Sequence, residues 1–180
     1  MRLELKDIKG GGLEQAYSCS LLDFPDLFVI SEDGGPNFHE PFTFDLRLQR
    51  TGKFVEIDGH LEAVVALKCG RCLQSFEQLL SEDFSLTFVP QGEEGETEED
   101  VELEADELGL ITYKDEILEL YDPLQEQLLM AVPISPICNT SCRGLCLECG
   151  SDLNREKCSC VKKIFNNKFT SLANMEFKKY

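Results

Sequence analysis

Histidine is scarce in this chain: His39 and His60 are the only two, and neither stands in a pattern with a nucleophile or with other ligands. Each reads as a strand or surface residue, which removes the commonest general base from consideration. Gly10-Gly11-Gly12 and Gly34-Gly35 fall in polar turns and not between a strand and a helix, so the sequence offers no phosphate-cradling loop. No segment approaches the ~20 apolar residues of a membrane-spanning helix, and Met1-Arg2-Leu3-Glu4-Leu5-Lys6 has no long apolar run behind its charged start. These absences lead to the expectation of a cytoplasmic non-enzyme with no membrane partner and no small-molecule substrate. Basic residues are also short, 17 Lys and Arg against 34 Asp and Glu, for a net charge of -17.

The deficit is unevenly spread. Glu93 to Glu107 holds ten acids and no base, and like-charge repulsion with few apolar residues predicts a solvated loop over 91–107. Such a stretch can also attract a basic partner. From Arg143 to Tyr180 the balance reverses to +4, with Arg143, Arg155, Lys157, Lys162, Lys163 and Lys168 among the bases.

Cysteine is what the chain does have. Cys69-Gly-Arg-Cys72 comes early; Cys138, Cys142, Cys146, Cys149, Cys158 and Cys160 crowd one later stretch; Cys19 is left over as a buried apolar residue. Eight thiols make two sets of four, the number that fills two tetrahedral zinc sites. In a reducing compartment such pairs read as metal ligands more readily than as disulfides. Cys146-Leu-Glu-Cys149-Gly150 with Cys158-Ser-Cys160 makes a compact local set. Cys69 and Cys72 with Cys138 and Cys142 make a long-range one. A grouping of Cys142, Cys146, Cys149 and Cys158 with Cys160 free is also open. Cys69 and Cys72 alone would suit a redox pair only if they opened a helix after a strand. Four-thiolate sites are usually structural, since catalytic zinc keeps a position for water.

The remaining pattern gives the fold class. Alternation in Phe42-Thr-Phe-Asp-Leu-Arg-Leu48, a turn at Gly52, and apolar positions from Phe54 to Leu67 predict strands between Pro41 and Pro90, with a bulge or second turn at Asp58-Gly59 and a further strand near 84–89. If the strands flanking Cys69 and Cys72 pair, that motif is a hairpin tip. Short strands follow around Lys114-Asp115. A helix begins with Asp122 as N-cap, Pro123 in the first position and Gln125 at capping-box spacing; Leu124, Leu128, Leu129 and Val132 form its apolar face, and Pro133 ends it. Pro133-Ile-Ser-Pro136 then carries Cys138 towards the hairpin tip. The expectation is α+β: an antiparallel β-sheet domain over 1–137 with one packed helix, and a small Cys-rich zinc-binding module with a basic tail over 138–180.

Leu67-Lys-Cys-Gly-Arg-Cys-Leu73, Leu129-Met-Ala-Val-Pro133 with Cys138, and above all Cys142-Arg-Gly-Leu-Cys-Leu-Glu-Cys-Gly-Ser-Asp-Leu-Asn154 closing with Cys158-Ser-Cys160 resemble the YceD family, also called DUF177. The resemblance implies a factor in accumulation of large-subunit (23S) ribosomal RNA and ribosome assembly, in a family whose gene commonly lies beside that of a small basic large-subunit ribosomal protein. Two mechanisms follow from different classes. The acidic body holds a basic ribosomal protein, or a zinc-ribbon module binds 23S rRNA precursor directly through Arg143, Arg155, Lys157, Lys162, Lys163 and Lys168 with interleaved Phe165, Phe169, Phe177 and Tyr180. Those aromatics equally suit the apolar face of a closing helix. Net charge opposes unaided RNA binding.

Overall fold

The computed structural model describes residues 1–32, 35–91 and 109–160. The acidic stretch Glu93–Glu107 lies outside them, as do Lys162, Lys163, Lys168 and the four C-terminal aromatics. The chain forms β1 (Arg2–Glu4), β2 (Leu13–Cys19), α1 (Pro25–Glu32), β3 (Asn37–Thr51), β4 (Phe54–Lys68), β5 (Ser75–Pro90), β6 (Leu110–Tyr113), β7 (Ile117–Glu119) and α2 (Tyr121–Met130). One sheet runs in the order β2-β3-β4-β5-β6, antiparallel except for β6, which lies parallel to β5. β1 and β7 form a separate antiparallel pair.

The long strands follow from period-two burial. Phe42, Phe44, Leu46 and Leu48 on β3 and Val55, Ile57, Leu61, Ala63 and Val65 on β4 all turn to one buried face. Rings cluster there: Phe24 lies 5.6 Å from Phe42 and 5.2 Å from Tyr121, and Phe44 meets Phe84 edge-on at 6.4 Å. Asp58-Gly59 is neither a bulge nor a turn, because β4 keeps register with both neighbours through it. Gly59 is there because the Phe84 ring covers it: a Cβ would lie 2.2 Å from Phe84 Cζ. Gly59→Ala must therefore displace that ring from Phe44, and we expect a loss of about 1–3 kcal/mol in chemical denaturation. The irregularity sits instead between His39 and Thr43, where Pro41 has no N–H for the ladder.

Residues ahead of the predicted sheet complete the core. Leu3, Leu5, Ile8, Phe24 and Leu27 are buried, so the N-terminal segment and α1 add a second helix to the expected one. Cys19 is 4% exposed, and burial, then the charge of Asp23, pushes its thiol up to about 11. Helix α2 starts before the predicted cap. Leu120 is the N-cap residue, with no side-chain cap bond. It is fully buried and donates its N–H to the Met1 carbonyl at 3.0 Å, so packing fixes the helix start and leaves Asp122 and Pro123 inside the first turn. Pro123, Leu124 and Leu128 are buried, Leu129 and Val132 half-buried. Gln125 reaches out of the helix to Asp26 at 3.4 Å.

Candidate metal centres

β4 and β5 pair as far as Lys68 opposite Ser75, which places Cys69-Gly-Arg-Cys72 in the hairpin tip. The turn closes by Cys69 N–H to Gln74 O at 2.9 Å and Leu73 N–H to Cys69 O at 2.9 Å, with Leu73 at φ 60. The chain leaves Cys72 into β5, so the helix that a thioredoxin-type pair needs is not there. After α2 the Pro133–Pro136 segment runs along the tip, and Pro136 O accepts the Gly70 N–H at 2.8 Å. That contact delivers Cys138 and Cys142. The four sulfurs of Cys69, Cys72, Cys138 and Cys142 lie within 4.8 Å of one another. Cys69 Sγ is 3.8 Å from Cys142 Sγ, and Cys72 Sγ is 3.7 Å from Cys138 Sγ. A disulfide would need ~2.05 Å, whereas a tetrahedron with Zn–S of ~2.3 Å has S···S edges of ~3.8 Å. The donor set and its spacing fit zinc.

The second set is local. Cys146, Cys149, Cys158 and Cys160 also place their sulfurs within 4.8 Å of one another. Gly150, at φ +74, donates to Cys146 O at 2.8 Å and turns the loop back, while Cys146 N–H reaches Ser151 O at 2.8 Å. All eight clustered cysteines thus divide four and four as the spacing suggests, and the alternative that leaves Cys160 out is not formed. Cys138, Cys142 and Cys146 do not share a helix.

Within each tetrad the thiols differ. Backbone N–H groups of Cys138 and Cys72 aimed at Cys69 hold its thiol down to about 6. Loss of hydration, then the sulfurs of Cys69 and Cys72, pushes Cys138 up to about 12. In the local set the amides of Cys149 and Glu148 hold Cys146 down to about 6, and Cys149 pushes Cys160 up to about 12. In each tetrad one thiolate, Cys69 or Cys146, forms readily while another, Cys138 or Cys160, resists. A divalent cation removes that conflict.

Asn154 joins the two sets, a role its sequence context hides. Its amide donates to Cys142 Sγ at 3.5 Å and to Asp152 Oδ1 at 2.8 Å, and its Oδ1 accepts the Arg143 N–H at 2.7 Å. Leu153 N–H to Gly144 O at 2.9 Å and the Leu145–Asp152 bridge pin the same loop. Gly144, at φ +71, passes so close to the tip that a Cβ would lie 3.0 Å from Arg71 O. Arg71 in turn donates to Cys142 O at 3.0 Å. The one legible signal is the Asp152-Leu-Asn154 turn, closed by Asn154 N–H to Asp152 Oδ1 at 2.9 Å.

Residues 57–176, more than half of the chain, match the family described as large ribosomal RNA subunit accumulation protein YceD. The chain belongs to the YceD family. The matched span contains both tetrads and excludes Cys19. Relatives include the chloroplastic large ribosomal RNA subunit accumulation protein YCED homolog 1 of Arabidopsis thaliana, 26% identical over 157 residues, covering 75% of this chain and 48% of that protein. Homolog 2 of the same plant is 26% identical over 134 residues, covering 73% and 57%. An uncharacterized protein of Mycobacterium tuberculosis is 30% identical over 113 residues, covering 62% and 51%. The chain spans about half the length of these curated relatives. No solved structure matches.

Of the predicted nucleic-acid contacts, Arg143, Arg155 and Lys157 are exposed beside the tetrads: Arg143 and Arg155 line one depression, Arg143 and Lys157 the next. Neither histidine approaches them. His60 lies on β4 with Nδ1 2.7 Å from Asp83 Oδ1, which raises its pKa. A raised folded-state pKa means that this pair favours the fold below the ordinary histidine value, an effect lost as pH rises through the folded-state pKa. In Asp83→Asn the His60 titration, followed by NMR, should move down towards 6.5. Among the described residues no helix is long and apolar enough to cross a membrane.

Proposed function

We propose that this chain is a non-enzymatic cytoplasmic factor that supports accumulation of large-subunit ribosomal RNA by binding a basic large-subunit ribosomal protein, alone or together with ribosomal RNA precursor, with two structural zinc sites. The observation that carries this reading is membership of residues 57–176 in the YceD family. Zinc, when bound, supplies charge compensation and a cross-link. Cys69, Cys72, Cys138 and Cys142 would hold one ion and clamp the hairpin tip to the chain after α2; Cys146, Cys149, Cys158 and Cys160 would hold the other. Four thiolates fill a tetrahedral ion and leave no position for substrate or activated water. Eight thiolates with two zinc ions would take the net charge from -17 to -21, so metal does not make the body attractive to RNA. Acidic charge instead speeds and orients encounter with a basic protein.

A second reading, direct binding of ribosomal RNA, is favoured by one observation, the exposure of Arg143, Arg155 and Lys157 on adjoining depressions. Affinity capture of the tagged chain, split into nuclease-treated and untreated halves, separates the two. Retention of a basic large-subunit protein after nuclease supports the first reading. Enrichment of ribosomal RNA with loss of every protein partner on digestion supports the second.

A further inference from the structure

The outer face of the five-stranded sheet has no covering element among the described residues. Because Val55, Ile57 and Leu61 turn to the core, alternation sends Asp58, His60, Glu62 and Val64 of β4 outward. Around Gly59 this face hollows into an open groove of about 860 Å³ walled by Glu14, Asp45, Asp58 and Asp83. Its basic side chains are already engaged: Arg47 pairs with Glu14 at 2.9 Å, and His60 Nδ1 lies 2.7 Å from Asp83 Oδ1. Asp58 accepts a hydrogen bond from Ser85 Oγ at 2.7 Å; Asp45 and Asp58 stand opposite His60 and Arg47 in register, but those side chains turn to Asp83 and Glu14, and neither aspartate is in an ion pair among the described residues. Further along the same face, Val64 and Leu79 stand directly opposite each other in register, and Leu79 is 62% exposed.

We infer that this face docks a basic protein segment bearing an apolar anchor, its Lys or Arg side chains over Asp45 and Asp58 and the anchor on Val64 and Leu79. Two independent features select a protein. Aspartates outside any ion pair, in a groove with four acids, repel a phosphodiester backbone, and an apolar contact beside a charged rim is how protein interfaces are built. Spacing constrains the partner. His60 and Val64 are four positions apart on β4, about 13 Å, which about four extended residues or about nine helical ones would span. The inference rests on the proposed role with a basic ribosomal protein and names the surface for it.

The test uses the full chain and three probes: a fluorescein-labelled Lys/Arg-rich peptide of about a dozen residues ending in Leu-Leu, the same peptide ending in Ser-Ser, and a single-stranded RNA of matching length. Anisotropy titrations compare the natural protein with Asp45→Asn/Asp58→Asn, with Leu79→Ser, and with a Gln chain, Glu93→Gln/Glu94→Gln/Glu96→Gln. All replaced groups on the sheet face are exposed, and circular dichroism checks that the fold is kept. The aspartate pair should weaken both peptides about tenfold, and Leu79→Ser should weaken only the Leu-Leu peptide, by about fivefold. Natural-strength peptide binding by both sheet variants, with loss in the Gln chain, would overturn the docking face and leave the partner reading standing. Failure of the natural protein to bind either peptide, or binding of RNA alone, would overturn both.

Discussion

Cys72→Ser is expected to lose one of two zinc ions per chain and to lower the midpoint of thermal unfolding by about 10 °C. An ion held at about a thousandfold its dissociation constant contributes about 4 kcal/mol, and a chain of this size shifts by about 2–4 °C per kcal/mol. Cys72 is 3% exposed and its sulfur lies 3.7 Å from Cys138, so water cannot stand in for the lost thiolate without opening the tip. What then holds residues 136–145 to the hairpin is a few hydrogen bonds, Gly70 N–H to Pro136 O, Leu145 N–H to Arg71 O and the Arg71 guanidinium to Cys142 O among them. The local tetrad should keep its ion, since its ligands all lie within 146–160. Elemental analysis of the purified variant, with calorimetry before and after chelator, checks both parts. Unchanged zinc content and melting would remove the long-range site.

Cys146→Ser should do more: it empties the local tetrad and also loosens the ion in the long-range tetrad, although it removes a ligand from only one of them. The asymmetry comes from the loop between Cys149 and Cys158. Leu153 and the Leu145–Asp152 bridge fix that loop against 144–145, and Asn154 carries it to the Cys142 sulfur at 3.5 Å. When the local ion is gone, nothing covalent or metallic orders the loop, and the long-range tetrad loses its supporting donor. Removing such a donor typically costs 10–100-fold in metal affinity. Asn154→Ala isolates the effect: the local site is retained and the long-range site is weakened about tenfold. Cobalt substitution reads each site through its thiolate absorption. Equal and independent losses in Cys72→Ser and Cys146→Ser would show that the tetrads are not coupled.

The tetrads are legible in the sequence because metal spacing is short-range chemistry. Two residues between Cys146 and Cys149, and between Cys69 and Cys72, restrict the sulfurs to one ion whatever the rest of the chain does. The hairpin tip is legible because alternating strands flank it. Asn154 is not, since an asparagine after Asp152 looks like an ordinary turn until Cys142 arrives beside it. Tertiary contacts also override local signals elsewhere. Asp58-Gly59 carries the composition of a turn, yet the Phe84 ring across the sheet makes glycine the residue that fits a straight strand. Asp122 and Pro123 look like a helix start, yet buried Leu120 starts it earlier. β2 is hidden because its core-facing set, Leu13, Gln15, Tyr17 and Cys19, mixes polar with apolar and buries only Cys19. In α1 the run Leu27-Phe28-Val29-Ile30 has no polar interruption to mark a face, and only Leu27 is buried.

Native mass spectrometry of the full chain, purified without added metal and then treated with chelator, decides whether two four-thiolate zinc sites hold this fold together. A dominant species with two zinc ions and no disulfide is expected. Loss should be stepwise: the one-zinc form keeps Cys146, Cys149, Cys158 and Cys160 protected from alkylation while Cys69, Cys72, Cys138 and Cys142 become reactive. A folded, metal-free chain with all eight thiols reactive, or with Cys69 and Cys72 joined as a disulfide, would contradict it.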